Sequence, residues 1–240
     1  MKRIFIIISV CLLSAHLYGQ SADITLGLFF QPGVSYRIFS YQDRETEEAF
    51  QSLVSTEKPD IAWEGGITTH IYFSDIIHLE SGINISKKSY RTIITTEDLV
   101  VRDENEDPVI GGLEKSKSNH EFYYVSVPVR IGTTIFQGRT YAAGVRAGVL
   151  VDYHFRSTVR YENFYHDRIE NSVTHPEIEG FRQLNFSGSL SLFGSYKLSD
   201  EYDIMLEPYG SISLLPLVKD SDVNTRFLMF GIRFSLFHKF

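Results

Sequence analysis

Residues 225–240, TRFLMFGIRFSLFHKF, are the stretch of sequence that decides the fold. Apolar side chains stand at nearly every second position, and Arg233, Ser235 and Lys239 lie between them. A period of two residues is typical of a β-strand with two different faces. A strand that closes a barrel inside a lipid bilayer needs an apolar outer face, whereas a water-soluble protein seldom exposes one. The stretch therefore indicates a membrane β-barrel.

The start of the chain has the pattern of a secretory signal peptide. Two basic residues precede an apolar run of about ten residues, 4–13, and the small residue Gly19 stands at a plausible cleavage point. The rival interpretation is a membrane-spanning helix, which needs about 20 apolar residues. We therefore expect residues 1–19 to be cleaved and residues 20–240 to form the mature domain.

Composition excludes several functions. The only cysteine, Cys11, lies in the apolar run, so the mature chain has neither a disulfide nor a thiolate metal site, and no lipid-anchored cysteine is expected. Removal of Lys2 and Arg3 leaves 21 basic residues against 30 acidic ones, a net charge of about −9. Nucleic-acid binding favours the opposite sign, so we expect no nucleic-acid partner.

The period of two recurs along the whole mature chain. It predicts eight strands, at 24–39, 61–73, 77–89, 121–135, 141–155, 184–198, 202–214 and 225–240. Short turns alternate with long polar stretches, which lie at about 40–60, 90–119 and 156–182, with a shorter one near 215–224. This layout predicts an all-β fold: an eight-stranded antiparallel transmembrane β-barrel of the outer membrane, with short periplasmic turns and long extracellular loops. We expect residues 94–118 to form a mobile loop.

Aromatic residues give an independent indication of the membrane. One predicted girdle at the periplasmic rim contains Phe73, Tyr141, Tyr196, Tyr202 and Phe240, and the other, at the outer rim, contains Tyr36, Trp63, Tyr123 and Tyr153. The alternative is a soluble β-sandwich or a lipocalin-like barrel. In those folds the apolar face points inward, where eight strands leave little room for so many large side chains. The membrane barrel is therefore favoured.

Three prolines fit poorly within strands. Pro32, Pro128 and Pro208 each remove one donor from a ladder of hydrogen bonds. We expect bulges, or strand portions above the bilayer, to accommodate them.

The chain resembles the PorT-like outer-membrane β-barrel proteins of Bacteroidetes. The resemblance rests on the eight-strand layout, on residues 124–130 (YVSVPVR) in the fourth strand, on the Gly-rich fifth strand and on the terminal Phe240. It implies a barrel that, in some members of the family, takes part in secretion or gliding machinery. Phe240 is expected to be the signal for the barrel-insertion machinery, although His238 stands where an aromatic residue is common.

Charged residues on the inward face suggest a structure inside the barrel. Counted from the periplasmic end, five of them fall at a similar depth: Glu80, Arg130, Arg146, Glu207 and Arg233. Since buried charges are costly unless paired, we predict one ion-pair network. The network could line an ion path, but an eight-stranded interior is normally filled by side chains, so a structural plug is favoured.

Candidate catalytic and metal-binding residues are few. The inward-facing group is His70, His78, His120 and His154 with Ser126 and Asp152, but no spacing ties a nucleophile to a base. A second group could bind a divalent cation, although a solvated acidic loop is favoured: His166, Asp167, His175, Glu177 and Glu179. No cofactor motif is present, and neither a cofactor nor a metal is expected.

The sequence therefore predicts a non-enzymatic structural or interaction protein embedded in outer-membrane lipid, with a possible protein partner at its acidic extracellular loops. A narrow channel or transporter for small solutes is the alternative, and an outer-membrane lipid enzyme comes third.

Overall fold

The computed structural model describes residues 23–41, 54–95, 113–166, 168–176, 180–219 and 223–239. These residues form nine β-strands: β1 (Asp23–Tyr41), β2 (Glu57–Tyr72), β3 (Ile77–Thr95), β4 (Leu113–Gln137), β5 (Tyr141–Tyr165), β6 (Ile169–Thr174), β7 (Leu184–Lys197), β8 (Tyr202–Ser213) and β9 (Val223–Lys239). The predicted signal peptide and Phe240 lie outside the described residues.

Eight of the strands close into a ring. The order of pairing is β4-β3-β2-β1-β9-β8-β7-β5, and β4 also pairs with β5, which completes the circle. Every pairing is antiparallel. The short strand β6 pairs with β5 alone and stands outside the ring. The predicted eight-stranded antiparallel transmembrane barrel is confirmed.

The inside of the barrel is polar and its outside is apolar, the reverse of a water-soluble protein. The inward face buries charged and hydroxyl side chains, while the outward face exposes large apolar ones along all eight ring strands. We call these exposed residues the membrane belt; they include Leu28, Phe30, Ile67, Ile83, Ile131, Val149, Leu190, Leu206, Phe230 and Phe234. A continuous apolar outer surface of this kind is stable only against lipid. Among the described residues, no helix is long and apolar enough to cross a membrane.

The two ends of the barrel differ. At the turn end, tight turns near Ser74, Gly138 and Ser199 connect consecutive strands. The longer connections lie at the opposite end, which we call the loop end. Tyr141 and Phe73 are exposed at the turn end, as expected for an aromatic girdle at a bilayer surface.

Two predicted loops are partly wrong. β4 and β5 each run for 25 residues, so residues 113–118 and 156–165 belong to strands, and residues 169–174 form β6. β3 likewise continues to Thr95. Above the membrane both faces of a strand meet water, so the alternation of apolar and polar residues disappears and the sequence shows no strand period. Of the predicted mobile loop 94–118, residues 96–112 lie outside the described residues.

The prolines interrupt pairing on one side only. Pro32 keeps its pairing with β2, but pairing of β1 with β9 skips from Phe30 to Gly33. Pro128 likewise keeps its pairing with β5 and interrupts the pairing with β3. Pro208 keeps its pairing with β9 and interrupts the pairing with β7. A strand residue directs its N–H to one neighbour, so a proline costs one side of the ladder and spares the other. The prolines therefore sit in local gaps and not above the bilayer.

Candidate functional site

The inward side chains of β3 mark successive levels of the lumen. From the turn end upward they include His78, Glu80, Lys88 and Tyr90, each buried and facing the barrel axis. The strand period directs every second side chain inward, so a single strand samples the lumen from one end to the other. Each of these residues belongs to a cluster that other strands complete.

The five predicted network residues lie together. Arg130 Nη1 donates to Glu207 Oε1 at 2.7 Å, and Arg130 also pairs closely with Glu80. Arg146 Nη1 lies 2.7 Å from Glu80 Oε2 and 2.8 Å from Glu207 Oε2. Arg233 Nη1 donates to Glu80 Oε1 at 2.9 Å. All five are at most 1% exposed, and we call the cluster the plug.

Further residues belong to the plug that the sequence did not indicate. Arg233 also contacts Glu64 Oε1 at 3.3 Å and donates to Gln31 at 3.2 Å. With Glu64, three carboxyl groups face three guanidinium groups, so the buried charges can balance. Ser191 donates to Glu207 at 2.5 Å. Counting positions along strands missed Glu64 because it lies nearer the loop end, and the long arginine side chain spans the difference.

Below the plug, rings fill the turn end of the lumen. The His70 and His78 rings lie 5.1 Å apart, and Arg146 Nη2 lies 3.1 Å from His78 Nε2. Phe237 packs on His70 with ring centroids 4.2 Å apart, and Phe193 packs on His78. The two histidines, predicted only as inward-facing, are thus packed between the plug and an aromatic layer.

Above the plug, a second ion pair links β3 to β5 inside the lumen. Lys88 Nζ lies 2.8 Å from Asp152 Oδ2, and both side chains are buried. Ser126 Oγ donates to Asp152 Oδ1 at 2.6 Å, and Ser187 donates to the other oxygen. We call Lys88 and Asp152 the upper ion pair. Ser126 and Asp152, considered as possible catalytic residues, form a hydrogen bond with each other, and Asp152 also accepts from Lys88 and Ser187.

The loop end of the lumen is closed by an apolar cluster. Its buried members are Tyr90, Phe122, Tyr124, Leu217 and Phe227, with Phe181 and Val218 packed against them. We call this cluster the cap. Phe181, which follows β6, and Val218, which follows β8, meet in an isolated β-bridge, so both lie over the mouth of the barrel.

Arg37 links the cap to β2 in the barrel wall. Its guanidinium lies 3.8 Å from the centre of the Tyr90 ring and pairs closely with Glu57. His120 also stacks on Tyr90, with 4.5 Å between the two ring centroids. Burial, aided by the charge of Arg37, lowers the pKa of His120 to about 4. Burial also raises the pKa of Tyr90 to about 12, against the opposing effect of Arg37.

An open vestibule lies at the turn end. It has a volume of about 590 Å³ and is lined by the turns and by His78, Phe193 and Met205. These three side chains form its inner end, and the plug lies beyond them. The vestibule is therefore a blind recess.

The predicted metal and catalytic residues do not converge on one site. His166 Nδ1 lies 3.0 Å from Glu114, and His175 Nδ1 lies 3.2 Å from Thr158 Oγ1. The other three loop residues of that group, Asp167, Glu177 and Glu179, lie outside the described part of the chain. Within the described part, no group of three or more histidine, cysteine or acidic residues could hold a metal ion. His154 Nε2 lies 2.9 Å from Ser157 Oγ, and a bulge in β5 at Phe155 places these two residues on one face.

Comparison with known proteins gives no family. No protein-family model matches the chain, and no curated protein matches it. Among solved structures, the chain is similar to Neisserial surface protein A, at 10% identity and a TM-score of 0.40 over 92% of this chain and 98% of that one. It is also similar to the N-terminal β-barrel domain of Pseudomonas aeruginosa OprF, at 8% identity and a TM-score of 0.36 over 91% and 98% of the two chains. For Ail, the attachment invasion locus protein of Yersinia pestis, the identity is 11% and the TM-score 0.30, over 90% and 99%.

Proposed function

We propose that this protein is a closed outer-membrane barrel that acts through contacts made outside the bilayer and catalyses no reaction. The observation that carries the proposal is the filling of the lumen at four levels, by the histidine and aromatic layer, the plug, the upper ion pair and the cap. A path for solutes would have to disrupt all four. A narrow channel or transporter is therefore the weaker alternative.

The part of the chain beyond the membrane supports a role in binding. β4 and β5 continue past the outer-rim residue Tyr123 as a paired ribbon, and β6 adds a third strand. From Arg156 to Tyr165 the ribbon rises by about 30 Å along the strand at ~3.3 Å per residue. A barrel that only filled the membrane would have no need of such an extension.

The resemblance to PorT-like proteins fits the same proposal. In this chain the signature residues 124–130 have structural positions: Tyr124 lies in the cap, Pro128 at a gap in the ladder and Arg130 in the plug. The signature would then maintain a closed barrel, and the loops would determine the partner. Membership of that family, and a part in secretion or gliding machinery, belong to the proposal.

Conductance in planar lipid bilayers tests the closed lumen. The purified full-length protein should insert without producing current steps, while a porin inserted in the same bilayers gives them. Reproducible steps from the wild-type protein would refute the proposal and favour the channel. Co-purification from outer membranes, with and without residues 97–111, tests the external role. If no partner is retained by either form, the binding role is wrong.

A further inference from the structure

β6 leaves one edge of the external ribbon open. Its six residues, Ile169–Thr174, are all exposed, and among the described residues the strand pairs with β5 only. Tyr165 N–H donates to the Arg168 carbonyl at 2.8 Å, which fixes the hydrogen-bonding phase of the hairpin. In an antiparallel pair, bonded and non-bonded residues alternate. The N–H and C=O groups of Ile169, Asn171 and Val173 therefore point away from β5.

The edge has few of the features that usually prevent another strand from pairing. Natural edge strands commonly carry a lysine, a proline or a bulge that prevents another strand from joining. β6 has neither lysine nor proline, and its register with β5 has no shift. Ile169 is 60% exposed and Val173 56% exposed, and both lie on one face of the strand. The short length of β6 and the charge of Glu170 are its protective features.

We infer that β6 is a docking edge for an extended segment of a partner protein, which adds to the ribbon as a further antiparallel strand. Backbone groups at Ile169, Asn171 and Val173 supply the ladder, and side chains select the segment. The segment should carry β-branched residues opposite Ile169 and Val173. It should carry a basic residue opposite Glu170, whose carboxylate is half exposed and already accepts a hydrogen bond from Arg168.

This inference rests on the proposed function, because it names the kind of partner that the external ribbon binds. An experiment can nevertheless refute the docking edge without refuting the closed barrel. Conductance reports on the closed lumen alone, whereas strand addition at β6 leaves the lumen unchanged. A silent barrel that fails to bind an extended peptide would refute the docking edge and leave the closed barrel intact.

The probe is a labelled hexapeptide, Thr-Val-Thr-Thr-Lys-Val, whose valines and lysine fall opposite Val173, Ile169 and Glu170 in the antiparallel register. Binding to the full-length protein in lipid nanodiscs is measured by fluorescence anisotropy. N-methylation of the second and fourth peptide residues blocks amides that face β6, and should abolish binding. N-methylation of the third and fifth residues blocks amides that face away, and should leave most of it.

Two variants at one position test the protein side. Asn171→Pro removes a backbone donor that faces the open edge and spares the bonds to β5, so affinity should fall by about tenfold or more. Asn171→Thr keeps the donor and should bind as the wild type does. Circular dichroism and thermal unfolding confirm that both variants fold.

Three outcomes would overturn the docking edge: no binding at ~1 mM peptide, which corresponds to about 4 kcal/mol; equal binding of the two methylated peptides; and an unchanged affinity of Asn171→Pro. Binding that arises only after deletion of residues 97–111 would show that the chain's own loop, and not a partner, occupies the edge.

Discussion

Arg233 in β9 donates to Glu80 in β3 across the lumen, with 2.9 Å between Nη1 and Oε1, although β1 and β2 separate these strands in the wall. Arg130 in β4 reaches Glu207 in β8 in the same way. The two acidic residues also have neighbours directly across the ladder, since Glu80 pairs with Arg130 and Glu207 with Arg233. The plug therefore joins opposite walls, and it can form only when the ring has closed.

Glu80 is the residue on which the plug depends most. It contacts Arg130, Arg146 and Arg233, so Glu80→Ala leaves buried guanidinium groups with too few partners. We expect the free energy of unfolding to fall by about 3–5 kcal/mol, as when one partner of a buried ion pair is removed. Denaturant titration in lipid vesicles measures the change. Ser191→Ala is the control. It removes one hydrogen bond to Glu207, so the free energy of unfolding should fall by only about 1 kcal/mol. Equal losses for the two variants would contradict a central role of Glu80.

The upper ion pair should be replaceable as a unit. Lys88→Met alone leaves Asp152 buried with only serine donors, so we expect a loss of about 3 kcal/mol. The double variant Lys88→Met/Asp152→Leu removes both charges, and apolar replacements of buried pairs are often neutral. Unfolding titrations of the wild type, of Lys88→Met, of Asp152→Leu and of the double variant complete a double-mutant cycle. A double variant that is less stable than Lys88→Met would show that the pair contributes more than mutual neutralisation.

The sequence was sufficient for the barrel and for the depth of the plug, because both follow from a period of two. Within the bilayer one face meets lipid and the other fills the lumen, so Leu28 and Gln31 differ in burial as their parity requires. The depth of each inward residue in the lumen then follows from counting residues along its strand from the periplasmic end. This count places Arg146 and Glu207 at a similar depth. Counting could not show that Glu64 belongs to the plug, because the length of the Arg233 side chain brings the two residues together.

The external ribbon could not be predicted, for a different physical reason. Lys115 to Asn119 in β4 and Arg160 to Asn163 in β5 are polar on both faces, as strands in water can be. Their pairing is held by backbone hydrogen bonds, which leave no trace in the pattern of side chains. Bulges, such as the one at Phe155, also exchange the two faces within a strand, so parity fails beyond them.

Close approach of the wall requires glycine at position 148. A Cβ atom there would lie 2.3 Å from the Val129 carbonyl oxygen and 2.5 Å from Arg130 Cα. Gly148→Ala should therefore push β4 outward beside the plug and reduce the free energy of unfolding by about 1–3 kcal/mol. Gly194→Ala is the matched control, because its Cβ would meet nothing within 4 Å. Thermal or denaturant unfolding in vesicles compares the two, and similar stabilities would show that the wall can yield at Gly148.

The cap should weaken in mild acid through His120. Burial and the nearby Arg37 lower its pKa to about 4, below the usual value of 6.5. The unfolded chain therefore binds a proton more readily than the folded one between these values. Stability from the neutral ring is complete above about pH 6.5, declines as the pH falls towards 4 and changes no further below.

His120→Phe keeps the stacking on Tyr90 and removes the titration. The measurement is the difference in unfolding free energy between wild type and His120→Phe at about pH 7.5 and about pH 5. Relative to the variant, the wild type should lose stability at the lower pH; a difference that stays constant would show that His120 gains its proton in the folded cap.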